Sequence, residues 1–327
     1  MTTKTHCKLV TILVNYNSVE DTNACVASLH ENEIHPPFII IVDNSCPRQK
    51  ELNELSQKYQ DIQIIHTDEN IGFAKANNQG ISWAFEHLMF DYLLLLNNDT
   101  LIAPSALTKM IESFDKDPTI GMATSKILYT KNPQLVWYGG ADINYIKGWP
   151  KIIDINREAT ETGANRSRFV TFASGCVMLF SRSSIQKLKG FNENYFMYSE
   201  DLDLSLRAAK AGIKIYYSSE SVIYHKVHGS LNKGDDNGHS NIHIDNPSLP
   251  FLFYHMKVNQ YATMREHLNL GQFFLFNFYF WARYNYFVFR CILNGRFSII
   301  PLSLKTKWAI LSVLFRGKTR NAGLINI

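Results

Sequence analysis

The sequence predicts an α/β protein, with a doubly wound, mostly parallel sheet followed by a helical, aromatic and basic C-terminal extension. Three observations point there. Short apolar runs at residues 9–15, 38–43, 62–66 and 92–97 are nearly continuous in three of the four cases, as parallel strands covered on both faces must be. Between them, residues 19–31, 48–59 and 74–87 repeat apolar side chains at three- and four-residue spacing, so helices alternate with strands in a right-handed βαβαβαβ order. Past a turn-rich stretch at 232–250, residues 251–267, 272–293 and 302–315 read as helices separated by Gly271, Gly295 and Pro301.

Each element marks a place for chemistry. A doubly wound sheet binds ligands beyond the carboxyl ends of its strands. Asn15-Tyr16-Asn17, Asp43-Asn44 and Asn97-Asn98-Asp99 all fall there. The first strand-to-helix turn, Asn15-Tyr16-Asn17-Ser18, has no glycine, which excludes the dinucleotide fingerprint and the P-loop. A diphosphate at this edge needs another neutraliser, and Asp99 is the candidate holder of a divalent cation, Mg²⁺ or Mn²⁺. Asp43 either starts a turn and caps the next helix or accepts a hydrogen bond from a nucleobase N–H. The stretch from Asn70 to Gly80 opens the third helix with small residues and amides. It either packs closely through Ala and Gly or lines a nucleotide pocket, with Gly72 admitting a ligand to the backbone and Asn78 and Lys75 contacting it.

Farther on, Ser199-Glu200-Asp201-Leu202-Asp203 starts a helix that runs to Gly212. The helix dipole favours acids in a first turn by about 0.3–1 kcal/mol, Ser199 reads as the N-cap and Gly212 as the stop. Three acids within four residues exceed what capping requires. A carboxylate there, its pKa raised by nearby diphosphate charge, is a candidate general base. His225 and His228 follow a strand-like run at 214–224. His225 is either a surface residue or a second ligand, with Asp99, through a neutral imidazole nitrogen.

Taken in order, residues 10–17, Ile41-Val42-Asp43-Asn44, 70–80, 94–100, Ser174-Gly175-Cys176, Gly190-Phe191-Asn192-Glu193, 196–204 and His225 closely resemble the family 2 inverting glycosyltransferases of GT-A fold. The nearest group is similar to the rhamnosyltransferase-like enzymes of bacterial surface-polysaccharide assembly. The resemblance covers residues 8–230, and it implies a role for each matched position. Asp43 would recognise the base. Tyr16, Asn17, Asn70, Gly72, Lys75, Asn78, Asn97 and Asn98 would line the nucleotide-sugar pocket, and Asp99 would be the last acid of a DXD-type motif. Asn97 replaces the motif's first acid, so metal binding leans on His225. Asp201 would be the general base, Glu200 would orient the acceptor or share that role, and Ser174 and Gly175 would border the acceptor.

The chain has 327 residues, 46% hydrophobic and 19% charged, enough for one large core with an appendage. Its five cysteines are scattered and form no CxxC, which suits a reducing cytosol, and no secretory leader is expected. Residues 251–327 carry ten Lys or Arg and only Glu266 as an acid, so this part is +9 while the remainder is −5. Within it, the aromatic run 273–281 is too short to span a bilayer, and Arg283 interrupts it. The expected role is an interfacial helix on an anionic membrane surface, with packing on the core or on a second copy in a homodimer as the alternative. Cations interleaved with an apolar face argue against nucleic acid.

A catalytic domain at 1–235 and an extension at 236–327 follow from this reading. Residue types and resemblance together lead to a cytoplasmic enzyme, peripheral on the inner membrane face. Its donor would be a nucleoside-diphosphate sugar, dTDP-rhamnose first and a UDP-hexose or UDP-N-acetylhexosamine second, and its acceptor a polyprenyl-diphosphate-linked saccharide of O-antigen or capsule synthesis. A non-catalytic nucleotide-sugar-binding scaffold is the rival class, against which the acids at 99 and 201 stand.

Overall fold

The computed structural model describes residues 5–33, 37–161, 163–227 and 248–316. Its first half runs β1 (Thr5–Asn15), α1 (Val19–Asn32), β2 (Phe38–Asp43), α2 (Leu52–Lys58), β3 (Ile62–His66), α3 (Phe73–His87), β4 (Leu88–Asn97), β5 (Thr100–Ile102) and α4 (Ala106–Ile111). There follow β6 (Ile120–Tyr129), β7 (Val136–Tyr138), β8 (Ala141–Asn144), β9 (Trp149–Ile152), β10 (Arg168–Val170), β11 (Val177–Ser181), α5 (Arg182–Leu188), α6 (Glu200–Lys210) and β12 (Lys214–His225). Three helices close the chain: α7 (Leu249–His267), α8 (Leu270–Leu293) and α9 (Ile299–Arg316).

One sheet holds the order β10-β12-β6-β11-β4-β1-β2-β3, with β5 also paired to β12 and β7 to β6. The block β4-β1-β2-β3 is parallel throughout, as the alternating apolar runs require. Ile39, Ile40, Ile41 and Val42 have no exposed surface, which is why that strand reads as a continuous apolar run. Antiparallel β11 lies between β4 and β6 and reverses direction at the ligand edge. That reversal sets the Cys176 carbonyl 2.9 Å from the Asn97 N–H.

Two expected boundaries move. The second helix begins at Leu52 and not at 48, because the Gln49 N–H donates to Asp43 Oδ2 at 2.9 Å and holds the intervening residues as a loop around that carboxylate. The fourth strand begins at Leu88, where burial alternates instead of running continuously, and its start pairs with Thr5–Cys7 of β1.

The three C-terminal helices match the expected ones within three residues at each described end. Leu249, Phe253 and Tyr261 of α7 and Phe276, Phe280 and Tyr284 of α8 join the same continuous core as the sheet. Packing on the core, the alternative in the sequence reading, therefore holds for α7 and for one face of α8. The other face of α8 is bare, with Phe274 74% and Phe278 79% exposed. No described helix is long and apolar enough to cross a membrane. His228 and the boundary placed at 235 lie outside the described residues.

Candidate active site

The entry to α6 is built from two consecutive left-handed residues, Tyr198 (φ 69°) and Ser199 (φ 70°). Only glycine adopts this conformation freely, so the turn is strained and must be held by its surroundings. It delivers Glu200 and Asp201 as the first residues of the helix. Asp201 accepts hydrogen bonds from the Gly175 N–H on Oδ2 at 3.1 Å and from the Leu202 N–H on Oδ1 at 2.8 Å. Glu200 is buried, and its Oε2 has no hydrogen-bond partner. Burial, then the charge of Asp201, push the Glu200 carboxyl up to about 8. Burial also raises Asp201, against the bonds from Gly175 and Leu202. Two adjacent buried carboxyls cannot both ionise cheaply, so the pair holds a proton well above the ordinary carboxylate range.

The other residues of this turn depart from expectation. Ser199 sits at the N-cap position, but its side chain makes no capping bond and its Oγ is buried without a partner. Left-handed backbone turns it away from the extended conformation that capping uses. Asp203, the third acid, is structural: it accepts from Arg207 Nε at 2.7 Å and meets His267 Nε2 at 2.8 Å. Asp203, Glu266 and His267 also lie close enough together for a cation, but the Arg207 guanidinium already supplies positive charge there.

Across the strand ends, β5 pairs with β12 so that Thr100 faces His225. Asp99 Oδ1 and His225 Nε2 stand 3.1 Å apart. The imidazole is nearly buried, with the Trp137 ring edge-on at 4.6 Å. Burial disfavours its charged form, but the charge of Asp99 and bonds to Asp99 and Cys176 carry its pKa well above the ordinary value. Asn97 Oδ1, two residues before Asp99 at the end of β4, is a buried acceptor without a partner. A carboxylate, an imidazole nitrogen and an amide oxygen form a donor set that suits Mg²⁺ or Mn²⁺, so these residues fit a divalent cation.

Both acidic groups border one segment. Asp201 is tied to Gly175, and the neighbouring Cys176 bonds Asn97, two residues before Asp99. Ser174 and Gly175, expected on the acceptor side, thus lie between the two acidic groups, and the Gly175 N–H aims the Asp201 carboxylate. Sequence reading missed that function because a backbone donor leaves no side-chain signature.

The pocket floor is more self-contained than the residue types suggest. Asp43 has no exposed side-chain surface and accepts from Asn15 Nδ2, the Ser45 and Gln49 N–H groups and His66 Nδ1, at 2.9–3.2 Å. Burial pushes its pKa up, but these bonds outweigh it and leave the carboxyl below its ordinary value. A base donor reaches Asp43 only if one of these partners moves. Asn15, Ser45 and His66, invisible as motifs, form this network; Asn17 joins it by donating its N–H to Ser45 Oγ at 2.8 Å.

Asn70 accepts from Asn44 Nδ2 and from the Gly72 N–H, so it ties two loops together. Gly72 takes φ 85°, and a Cβ there would lie 2.6 Å from the Phe196 carbonyl oxygen. The close approach expected toward a ligand is therefore made toward Phe196. Asn78 is turned toward protein: its amide donates to the Phe191 carbonyl and Glu193 Oε1 and accepts from the Phe191 N–H, which pins the turn after α5. Tyr16 and Asn17 are exposed at the mouth and Lys75 is half-buried on α3. Asn98 Nδ2 donates to Thr22 Oγ1 at 2.8 Å.

Residues 11–189 match the family model described as glycosyl transferase family 2, and residues 162–228 match one described as the N-terminal domain of galactosyltransferase. Over 238 residues the chain is 25% identical to N-acetylglucosaminyl-diphospho-decaprenol L-rhamnosyltransferase of Mycobacterium tuberculosis, with 68% of this chain and 77% of that protein covered. It is 29% identical over 209 residues to poly-beta-1,6-N-acetyl-D-glucosamine synthase of Staphylococcus aureus, covering 63% of this chain and 47% of the synthase, so it spans about half of that relative. Two solved structures are similar in fold. GalNAc-T7 with UDP, GalNAc and Mn²⁺ gives a TM-score of 0.57 at 14% identity, over 81% of this chain and 52% of that one. Mannosyltransferase PcManGT from Pyrobaculum calidifontis, in complex with GDP-Man and Mn²⁺, gives 0.52 at 14% identity, over 97% and 78%. At that identity these two likenesses establish the GT-A architecture alone.

Proposed function

The chain belongs to glycosyltransferase family 2, and from that footing we propose that it moves a sugar, rhamnose from dTDP-rhamnose, onto a hydroxyl of a lipid-linked saccharide with inversion at the anomeric carbon. One observation carries the reading: the Glu200–Asp201 pair and the Asp99–His225 pair flank the same short segment, Ser174–Cys176, at the carboxyl end of β4. Asp201, aimed by Gly175, accepts the proton of the acceptor hydroxyl. The freed oxygen attacks the anomeric carbon while the bond to the diphosphate oxygen breaks on the opposite face. Glu200, in the same pair, is the carboxyl that burial and the Asp201 charge hold protonated. Asp99, His225 and Asn97 Oδ1 would hold the cation, which when bound supplies positive charge against the leaving diphosphate.

The rhamnose donor and the polyprenyl-diphosphate acceptor rest on the printed name of the 25% identical relative. A donor screen with a synthetic prenyl-diphosphate N-acetylglucosamine acceptor tests them. Transfer from dTDP-rhamnose, with inverted configuration in the product NMR spectrum, is expected. Transfer only from a UDP-hexose or UDP-N-acetylhexosamine would replace the donor, and nucleotide-sugar binding without turnover would favour a scaffold.

The extension fits an anionic membrane surface at the inner face. Leu270, Phe274, Phe278, Phe289 and Leu293 are exposed along α8, and Trp308 on α9 is 74% exposed. Such an apolar face on a segment of net charge +9 matches interfacial binding to acidic lipid. The full chain is expected to float with phosphatidylglycerol vesicles, and a Phe274→Ser, Phe278→Ser, Trp308→Ser variant is expected to stay at the bottom of the gradient. A wild-type chain that does not float, or that buries this face in a stable homodimer, overturns the membrane reading.

A further inference from the structure

One face of α7 is a ladder against the turn that carries the acidic pair. His255, Asn259, Thr263 and His267 follow at four-residue spacing, which stacks them along one side of a helix. The His255 ring lies 5.9 Å from that of Phe196. Asn259 Nδ2 donates to the Met197 carbonyl at 2.9 Å and to the Tyr198 carbonyl at 3.0 Å. Thr263 Oγ1 donates to the Tyr195 hydroxyl at 2.9 Å, and His267 Nε2 meets Asp203 Oδ1 at 2.8 Å. Each contact falls between residues 195 and 203, the segment that contains both left-handed residues and both acids.

We propose that Asn259 is a positioning residue, whose amide clamps the Tyr198–Ser199 turn and so holds Glu200 and Asp201 in their working orientation. The inference rests on Asp201 being the base. Left-handed backbone at two successive non-glycine residues persists only where neighbours over-determine it. The two carbonyls that Asn259 binds precede and begin this pair of residues, and both bonds are partly buried, where an unmet acceptor carries a cost. The Ser199 hydroxyl, the side chain placed to steady this turn from within, makes no hydrogen bond. The clamp comes from a helix of the C-terminal extension, so that extension completes the catalytic turn and is more than an anchor.

The full-length chain with Asn259→Leu, similar in size but without the donor, tests this beside Asn259→Gln, which keeps the amide. Asn259→Leu is expected to bind nucleotide sugar about as tightly as wild type while kcat falls by about 10²-fold, the scale of a misplacement of roughly 1 Å. Its acid limb of kcat against pH is expected to move to lower pH, because a loosened turn exposes the two carboxyls to water and relieves their burial. Asn259→Gln is expected to recover part of both. An Asn259→Leu chain with wild-type kcat and an unmoved limb overturns the inference, and so does a parallel loss of donor binding and turnover, which would mark a structural role. Asp201→Asn, assayed alongside, separates the two readings. If it is inactive while Asn259→Leu is fully active, only the clamp falls; if it turns over normally, the base assignment falls and the clamp with it.

Discussion

Asp201→Asn is expected to lower turnover by about 10²–10⁴-fold while nucleotide-sugar affinity stays close to that of wild type. The asparagine keeps the size of the side chain, but its one oxygen can accept from only one of the Gly175 and Leu202 N–H groups, which bind different oxygens of the carboxylate, and it cannot take a proton. In the proposed arrangement the donor is held by groups other than Asp201, so its binding should persist. Isothermal titration of the donor beside steady-state kcat checks the split. Normal turnover in this variant would remove Asp201 from the reaction. The pH dependence gives an independent reading. A raised carboxyl pKa means that the protonated form survives to higher pH, so wild-type kcat should be low in acid and climb as Asp201 loses its proton above the ordinary carboxylate range. Glu200→Gln removes the carboxyl that burial and the Asp201 charge push up to about 8, so any part of the limb that reaches toward 8 should disappear. A limb that stays in place would show that the two carboxyls do not titrate as a pair.

Asp99→Ala is expected to cost turnover by about 10²–10³-fold, since positive charge at a leaving group contributes several kcal/mol and each 1.36 kcal/mol is tenfold. The readout that separates this from general damage is Mn²⁺ binding, followed by electron paramagnetic resonance of the free ion. Wild type should bind Mn²⁺, and the variant should bind it far more weakly, because only His225 Nε2 and Asn97 Oδ1 remain from the donor set. Unchanged Mn²⁺ affinity in Asp99→Ala would place the cation elsewhere. Asp203, Glu266 and His267 would then be the next group to test, although Arg207 already balances Asp203.

The parallel half of the sheet was legible because strands covered on both faces must be apolar along their whole length, and Ile39–Val42 and Leu93–Leu96 are. The antiparallel half was not. Strands β5, β7, β8, β9 and β10 have three or four residues each, too few to establish a period; β5, β7 and β10 take their place from β6 and β12, and β8 and β9 pair with each other in a separate sheet. The site divided in the same way. Acids at a strand end and at a helix start advertise themselves through residue type. The partners of Asn78, Gly72 and Asp43 do not, since Phe191, Phe196 and His66 reach them from other elements.

Residue pattern alone thus determined the βα alternation, the polar residues at the carboxyl ends of the parallel strands, the two acidic groups and the apolar, basic character of the last helices, because each of these depends on neighbours in sequence. Only the tertiary structure decided that Asp43 is enclosed, that Asn78 and Gly72 serve protein contacts, that Asp203 is paired, and that α7 grips the turn before Asp201. A hydrogen bond is settled by which groups share a few ångströms of space, and that is a property of the folded chain.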